Sequence, residues 1–282
     1  MKSDYTTEEF MIAKEDVLNL QYSKFESNPH PRAELVCGQP GAGKSFLISH
    51  LDKGDIAFVN GDEFRAYHPH GEEILKETPE DYIELTRPFN GRMTEEIIND
   101  LSDKKINMII EGTLRQYETQ TNTKNLLESK GYDVGLNILA VPPQISYLRV
   151  HKRYHEMKER GSVPRKTGTQ FHDHAVNQLI KNFALICERK DFKRVRIFEH
   201  ADNSAVCIYS SDRDHDKNPV EVLKKAVFRK FTVHEVEKIK EKYMPYVPSE
   251  KIDELFSKSI QEKRPMVKGI RHKVNTTQKG RT

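Results

Sequence analysis

Tryptophan is absent from the 282 residues and cysteine is scarce, with only Cys37, Cys187 and Cys207. The three cysteines are odd in number and far apart, with no CxxC or Cys/His ligand spacing. That pattern argues against a disulfide scaffold or a zinc ribbon and fits reduced thiols in a cytosol. No apolar run approaches the roughly 18 to 20 residues that a membrane-spanning helix needs. The opening Met1-Lys2-Ser3-Asp4 leads into charged, amphipathic sequence rather than an apolar leader, so the expectation is an unexported, cytoplasmic protein without membrane contact. Acid is missing from residues 264–282, which carry Arg264, Lys268, Arg271, Lys273, Lys279 and Arg281. This basic stretch reads as a disordered, solvated tail rather than a nucleic-acid contact.

A large charge of one sign is also lacking. The 46 basic and 43 acidic residues leave a net charge of +3, which gives only weak attraction to anions. Hydrophobic residues make up 36% of the chain, with 13 Phe and 11 Tyr, so wholesale disorder is excluded despite a mean hydropathy of −0.75. The length suits one large domain or two small ones.

Residues 7–20 carry a helix-start signature followed by Phe10, Ile12, Val17 and Leu20, which predicts an amino-terminal helix. Strand-like runs occur at residues 33–37, 56–59, 108–110 and 134–141, with a possible pair at 195–198 and 205–209. Helical patterns at 79–85, 93–101, 122–130, 145–159 and 174–188 separate most of them. Such alternation implies an α/β fold with a doubly wound, mainly parallel sheet and helices on both faces. Beyond Pro219 three short helical segments follow, at 220–231, 233–243 and 250–260. The expected organisation is an amino-terminal helical segment (1–30), a core (31–230) with a lid around 160–170, a helical extension (231–263) and the basic tail (264–282).

The chemistry is concentrated in Gly38-Gln39-Pro40-Gly41-Ala42-Gly43-Lys44-Ser45, a complete GxxxxGK[ST] phosphate loop lying between an apolar strand and an amphipathic helix. In such a loop the glycines let successive N–H groups face phosphate oxygens, Lys44 reaches the β- and γ-phosphates, and the Ser45 hydroxyl ligates Mg²⁺. ATP, or alternatively GTP, with Mg²⁺ is therefore expected. No Asn-Lys-x-Asp guanine reader follows, and the strand that ends in Glu111-Gly112-Thr113 has its acid as Glu. A small-molecule kinase needs a carboxylate near the acceptor hydroxyl and arginines over the transferring phosphoryl. Asp62, at the end of the second strand, is the base candidate. Arg149 and Arg153 on one helix, followed by the basic segment around Arg165, supply the arginines, Arg165 as part of a closing lid. His68-Pro69-His70 and His172-Asp173-His174 read as solvated pairs rather than zinc sites. Residues 212–216 read as a charged turn rather than a Ca²⁺ loop.

The loop, Gly61-Asp62, Arg92-Met93-Thr94-Glu95, Ile109-Ile110-Glu111-Gly112-Thr113, Ala140-Val141-Pro142 and Arg153-Tyr154 together resemble the zeta toxin family, the kinase half of bacterial epsilon/zeta toxin–antitoxin systems. The resemblance implies transfer of the ATP γ-phosphate to the 3′-hydroxyl of the N-acetylglucosamine moiety of UDP-N-acetylglucosamine, or to a close nucleotide sugar, which would block peptidoglycan synthesis. It implies Asp62 as base, Lys44, Arg153 and Arg165 on the phosphates (with Arg160 as the alternative to Arg165), and Glu95, Glu111, Thr113, Arg115 and Thr121 in the nucleotide-sugar pocket. It also implies an epsilon-type antitoxin partner in a heterotetramer. Leu114 stands where a small residue is common in that family. The competing readings are another small-molecule kinase and a polynucleotide kinase.

Overall fold

Nearly continuous apolar runs predict strands covered on both faces, and they assemble into one sheet. The computed structural model describes residues 3–51, 54–161, 167–201 and 204–260. Its strands are β1 (Arg32–Cys37), β2 (Ala57–Val59), β3 (Met108–Gly112), β4 (Asp133–Leu139), β5 (Arg194–Ala201) and β6 (Ser204–Ser210). They pair in the order β2-β3-β1-β4-β5-β6, with every pair parallel except β5 and β6. The helices up to β4 are α1 (Thr7–Val17), α2 (Lys44–Leu51), α3 (Gly71–Glu77), α4 (Tyr82–Leu85), α5 (Arg87–Asp103) and α6 (Tyr117–Ser129). After it come α7 (Pro143–Glu159), α8 (Thr169–Arg189), α9 (Pro219–Val227), α10 (Val233–Tyr243) and α11 (Ser249–Phe256). This is the mainly parallel, doubly wound α/β architecture that the alternating pattern predicts.

Several boundaries differ from the pattern. The amino-terminal α-helix stops at Val17 and continues as a π-helical turn, Leu18–Tyr22. The helix expected at 79–85 shrinks to the single turn α4, while α5 starts well before Met93 because Pro88 is tolerated in a first turn, where its missing N–H is not needed. The two-turn α3 has no counterpart in the sequence expectations. Gly61–Tyr67, which follows β2 and carries Asp62, is a 3-10 helix, capped by the Asn60 carboxamide oxygen accepting from Asp62 N at 3.2 Å. After α9 the chain leaves the helix, and Phe231 bridges to Ile260 instead.

The two faces of the sheet are unequal. On one, Leu35, Ile110, Leu136 and Ile138 pack with Phe10 of α1, Ile97 of α5, Phe183 of α8 and Leu223 of α9 in the main core. On the other, Val36, Ile109, Leu139 and Phe198 meet Leu47 and Ile48 of the short α2. The amino-terminal half of that second face carries a polar cluster instead. Glu34, 7% exposed, accepts from Asn137 Nδ2 at 2.7 Å and Arg196 Nη2 at 2.9 Å, with Arg194 Nη2 3.2 Å away. Gly135 makes room for it, since a Cβ there would lie 2.5 Å from Glu34 Oε2. The carboxyl-terminal helices form a third cluster, in which Phe231, Tyr243, Ile252 and Phe256 pack with Leu148 of α7. Residues 212–216 are a turn in which Asp214 is buried, held by Arg213, Lys217 and Ser210 N.

A buried acid facing two cations destabilises the fold when it alone is removed, because the cations stay desolvated. Glu34→Gln is expected to lower the unfolding free energy by about 3 kcal/mol, the low end of the buried-pair range because the arginines keep partial exposure. Urea unfolding reads this as a lower midpoint with an unchanged slope; an unshifted midpoint would count against the cluster as a structural element.

Candidate active site

Register places the site. Val36 pairs with Glu111 and Cys37 with Gly112, so the loop leaving β1 and the acid ending β3 lie side by side at the carboxyl edge of the sheet. Ligands of open α/β sheets bind along that edge. Gly41 has φ +77° and Gly43 φ +89°, the left-handed region that glycine enters without a Cβ penalty. Space forbids a side chain as well. A Cβ on Gly41 would sit 2.1 Å from the Ser146 carbonyl oxygen, and one on Gly43 2.9 Å from His200 Nε2.

Side chains from distant elements hold the loop. Gln39, fully buried, donates Nε2 to the Val141 carbonyl at 2.6 Å and to Ser146 Oγ at 3.3 Å. Ser146 Oγ in turn meets His172 Nε2 at 2.8 Å. From the other side the Ala42 carbonyl accepts from Arg149 Nη1 at 2.9 Å and lies 2.9 Å from His200 Nε2. A loop braced by the β4–α7 connection, α7 and β5 loses less ordering entropy when a ligand arrives. Arg149, Val141 and His200 also wall a cavity of about 340 Å³, whose far side is Lys238, Ile239 and Tyr243 of α10. That is within the usual size of a small-molecule site.

Lys44, the first residue of α2, is 9% exposed; its Nζ donates to the Gly38 carbonyl at 3.0 Å and lies 3.4 Å from Glu111 Oε1. Ser45 is exposed on the same helical turn. Asp62 follows β2, with its side chain 48% exposed and Oδ1 accepting from Arg65 Nε at 3.3 Å. Arg65 itself is buried and also donates to the Ile83 carbonyl at 2.8 Å and Thr86 Oγ1 at 3.0 Å. Arg65 belongs to no motif in the sequence, although the i, i+3 spacing from Asp62 stacks the two on one face of a 3-10 helix. Gly61 lets α5 come close, since a Cβ there would be 2.7 Å from Thr94 Oγ1. Glu95, the next residue of α5, is exposed, whereas Glu96 pairs with Lys14 at 3.1 Å.

Beyond β3 the chain turns sharply. Thr113 is half-buried, and Leu114 is fully buried at φ +52°. A non-glycine residue in the left-handed region costs about 1–2 kcal/mol, comparable to the ~1.5–3 kcal/mol gained by burying a leucine. Asn182 of α8 donates Nδ2 to the Leu114 carbonyl at 3.0 Å and to the Arg115 carbonyl at 2.9 Å. The Arg115 guanidinium lies 4.8 Å from the Phe171 ring centroid. Thr121 is buried in α6, with its hydroxyl donating back to the Tyr117 carbonyl at 3.1 Å. Arg153 is exposed on α7, one turn beyond Arg149, and Arg160 is exposed at the end of that helix. Arg165 lies outside the described residues. Direct contacts thus join the loop to Lys44, Glu111, Arg149 and His200, and Asp62 to Arg65; among the described residues no hydrogen bond or ion pair joins Glu95 or Thr121 to either group.

The first histidine of each pair corrects the expectation that both are solvated, whereas His70 is half-buried and His174 exposed. His68 is 4% exposed and His172 1% exposed. Burial lowers the pKa of His68, His172 and His200 below the ordinary 6.5. Burial also pushes the Cys37 thiol up to about 12, so it is protonated and unreactive at neutral pH. With folded-state values below the unfolded one, the unfolded chain binds more protons as pH falls past 6.5, so stability is full above that value and is lost below it. His172 faces Ser146 Oγ, the Asp173 carboxylate at 3.2 Å and the Tyr147 ring. Urea unfolding at about pH 7.5 and pH 5.5 should show that loss, smaller in His172→Gln. An equal loss in both proteins would remove His172 from the account.

A family model described as Zeta toxin matches residues 17–214. Toxin PezT of Streptococcus pneumoniae is 34% identical over 259 residues, covering 90% of this chain and 98% of PezT. Toxin zeta of Enterococcus hirae is 31% identical over 252 residues, covering 88% and 84% respectively. A solved structure from the PezAT chromosomal toxin–antitoxin system of Streptococcus pneumoniae superposes with a TM-score of 0.76 at 31% identity, over 91% of this chain and 99% of that one. A crystal structure of AvrRxo1-ORF1:-ORF2 with ATP, at 13% identity and a TM-score of 0.54 over 89% of this chain and 83% of that one, shares the fold alone. With the family matched across most of its length and the phosphate loop intact on a P-loop kinase-like sheet, the chain belongs to the zeta toxin family.

Proposed function

We propose that this protein is a toxin kinase that transfers the γ-phosphate of ATP to the 3′-hydroxyl of the N-acetylglucosamine moiety of UDP-N-acetylglucosamine, and so arrests growth by starving peptidoglycan synthesis. The observation that carries the reading is the pairing of Lys44 with Glu111 at the mouth of the phosphate loop, with Asp62 at the neighbouring strand end. Family membership supports the class of activity.

The residues present fit a nucleoside triphosphate. Gly41 and Gly43 keep the loop free of side chains that would fill the cradle, and the buried Lys44 ammonium points at the loop's own Gly38 carbonyl. The Ser45 hydroxyl is an oxygen donor of the kind Mg²⁺ takes. When bound, Mg²⁺ neutralises charge on the β- and γ-phosphate oxygens. Lys44 exchanges its carbonyl for phosphate oxygens. Asp62 accepts the proton of the sugar hydroxyl while that oxygen bonds to the γ-phosphorus and the bond to the ADP oxygen breaks. Arg65 holds the Asp62 carboxylate in place, and Arg153 and Arg165 offset charge on the transferring group. Glu95, Glu111, Thr113, Arg115 and Thr121 offer acceptors and donors for sugar hydroxyls and the diphosphate. The cavity beside Arg149 and His200 suits the nucleoside of ATP or GTP.

We further propose an epsilon-type antitoxin as the partner, in a heterotetramer, supported by the relative solved as part of a toxin–antitoxin system. A cytoplasmic location agrees with a cytosolic substrate; among the described residues no helix is long and apolar enough to cross a membrane.

Mass spectrometry of UDP-sugars, nucleosides and short oligonucleotides incubated with protein, ATP and Mg²⁺ tests the reading. A phosphate gained by UDP-N-acetylglucosamine is expected. Asp62→Asn should lower turnover by ~10²–10⁴-fold, the usual contribution of a general base, with ATP binding nearly unchanged. Lys44→Ala should weaken both. Phosphate on a nucleoside or an oligonucleotide end alone would replace this acceptor, and undiminished turnover in Asp62→Asn would remove the base.

A further inference from the structure

We infer that Asn182 is a positioning residue for the acceptor pocket: from α8 it clamps the left-handed turn at Leu114 and thereby sets the directions of Thr113 and Arg115. The inference rests on the proposed reading that those two residues face the nucleotide sugar.

Three observations carry it. Leu114 holds φ +52° while fully buried, a conformation that persists only where the surroundings over-determine it. Asn182, 7% exposed, supplies that constraint, since its carboxamide meets two backbone carbonyls at 3.0 and 2.9 Å. Both partners are acceptors, so the NH₂ end of the amide has to face them, and both of its donors are accounted for. Arg115, the residue after the turn, has its guanidinium over Phe171 of the same helix. Phe171 and Asn182 are eleven residues apart, about three helical turns, and so lie on one face of α8. One helix thus fixes the turn through its backbone and the following arginine through its side chain. Nothing local demands this: the partners lie 67 and 68 residues from Asn182 in sequence. Glycine would adopt the turn unaided. The leucine fills the core at the cost of needing an external clamp.

The test uses the full chain, with UDP-N-acetylglucosamine and ATP as the varied substrates. Asn182→Ala should raise KM for the acceptor by about tenfold or more, since ångström-scale misplacement costs up to ~10²-fold, while KM for ATP stays close to wild type. The Cα and Cβ chemical shifts of Leu114 should move away from left-handed values. Adding Leu114→Gly, which needs no clamp, should restore the acceptor KM although it lowers the melting temperature further, a dissociation that a purely structural asparagine would not give. If the double variant does not fold, the single variant still decides. An unchanged Leu114 shift, or an unchanged acceptor KM in folded Asn182→Ala, overturns the inference. A wild-type protein that phosphorylates no UDP-sugar overturns the acceptor reading instead, and the Leu114 shift then reports on the clamp by itself.

Discussion

A lysine side chain that is nine-tenths buried has to find polar partners to replace the water it has lost, and the site is organised around how Lys44 meets that demand. Its two acceptors are the Gly38 carbonyl of its own loop and the carboxylate of Glu111. The second exists only because β1 and β3 are sheet neighbours with Val36 opposite Glu111. Strand order therefore precedes chemistry here. A sheet in which β3 lay elsewhere would leave the same eight-residue loop with a desolvated lysine and no counter-charge.

The loop's shape depends on a second set of long-range contacts. Two glycines permit the left-handed turns, but permission is not enforcement, since glycine also loses the most entropy when fixed. Enforcement comes from Gln39 on Val141 and Ser146, and from Arg149 and His200 on the Ala42 carbonyl. These braces come from the β4–α7 connection, from α7 and from the end of β5. Ser146 then passes the contact on to His172, near the start of α8. The helix that backs Ser146 through His172 at its first turns also carries Asn182 under the Leu114 turn, so α8 reaches both sides of the crevice.

What was legible in the sequence divides along this line between local and distant. The phosphate loop, the mainly parallel sheet and the position of Asp62 follow from residues adjacent in sequence, because a glycine pattern or a strand end is a local property. Arg65 was in local view, three residues from Asp62, yet its significance depends on Ile83 and Thr86, in a stretch whose α4 is only one turn long. Leu114 is large for its place in the family, but its positive φ has no sequence signature, since leucine is the wrong residue for it. His172 looked solvated because it sits among polar neighbours; its ring turns inward to Ser146, 26 residues earlier in the chain. The buried Glu34 cluster was invisible for the same reason, its partners arriving from β4 and β5.

The two shortest contacts of the buried Glu34 cluster, whose Arg194 pair is 3.2 Å, are tighter than the pairs at the crevice. Glu34 takes Asn137 at 2.7 Å and Arg196 at 2.9 Å, inside the range of strong charge-assisted bonds. Lys44 to Glu111 is 3.4 Å and Arg65 to Asp62 is 3.3 Å, longer than such bonds prefer. A tight pair resists exchange because separating it exposes two unpaired charges. A loose one surrenders less when a phosphate oxygen or a sugar hydroxyl replaces one partner. The crevice therefore holds its polar groups in pairs loose enough to trade for substrate oxygens, which is the condition a phosphoryl-transfer site has to meet before its substrates arrive.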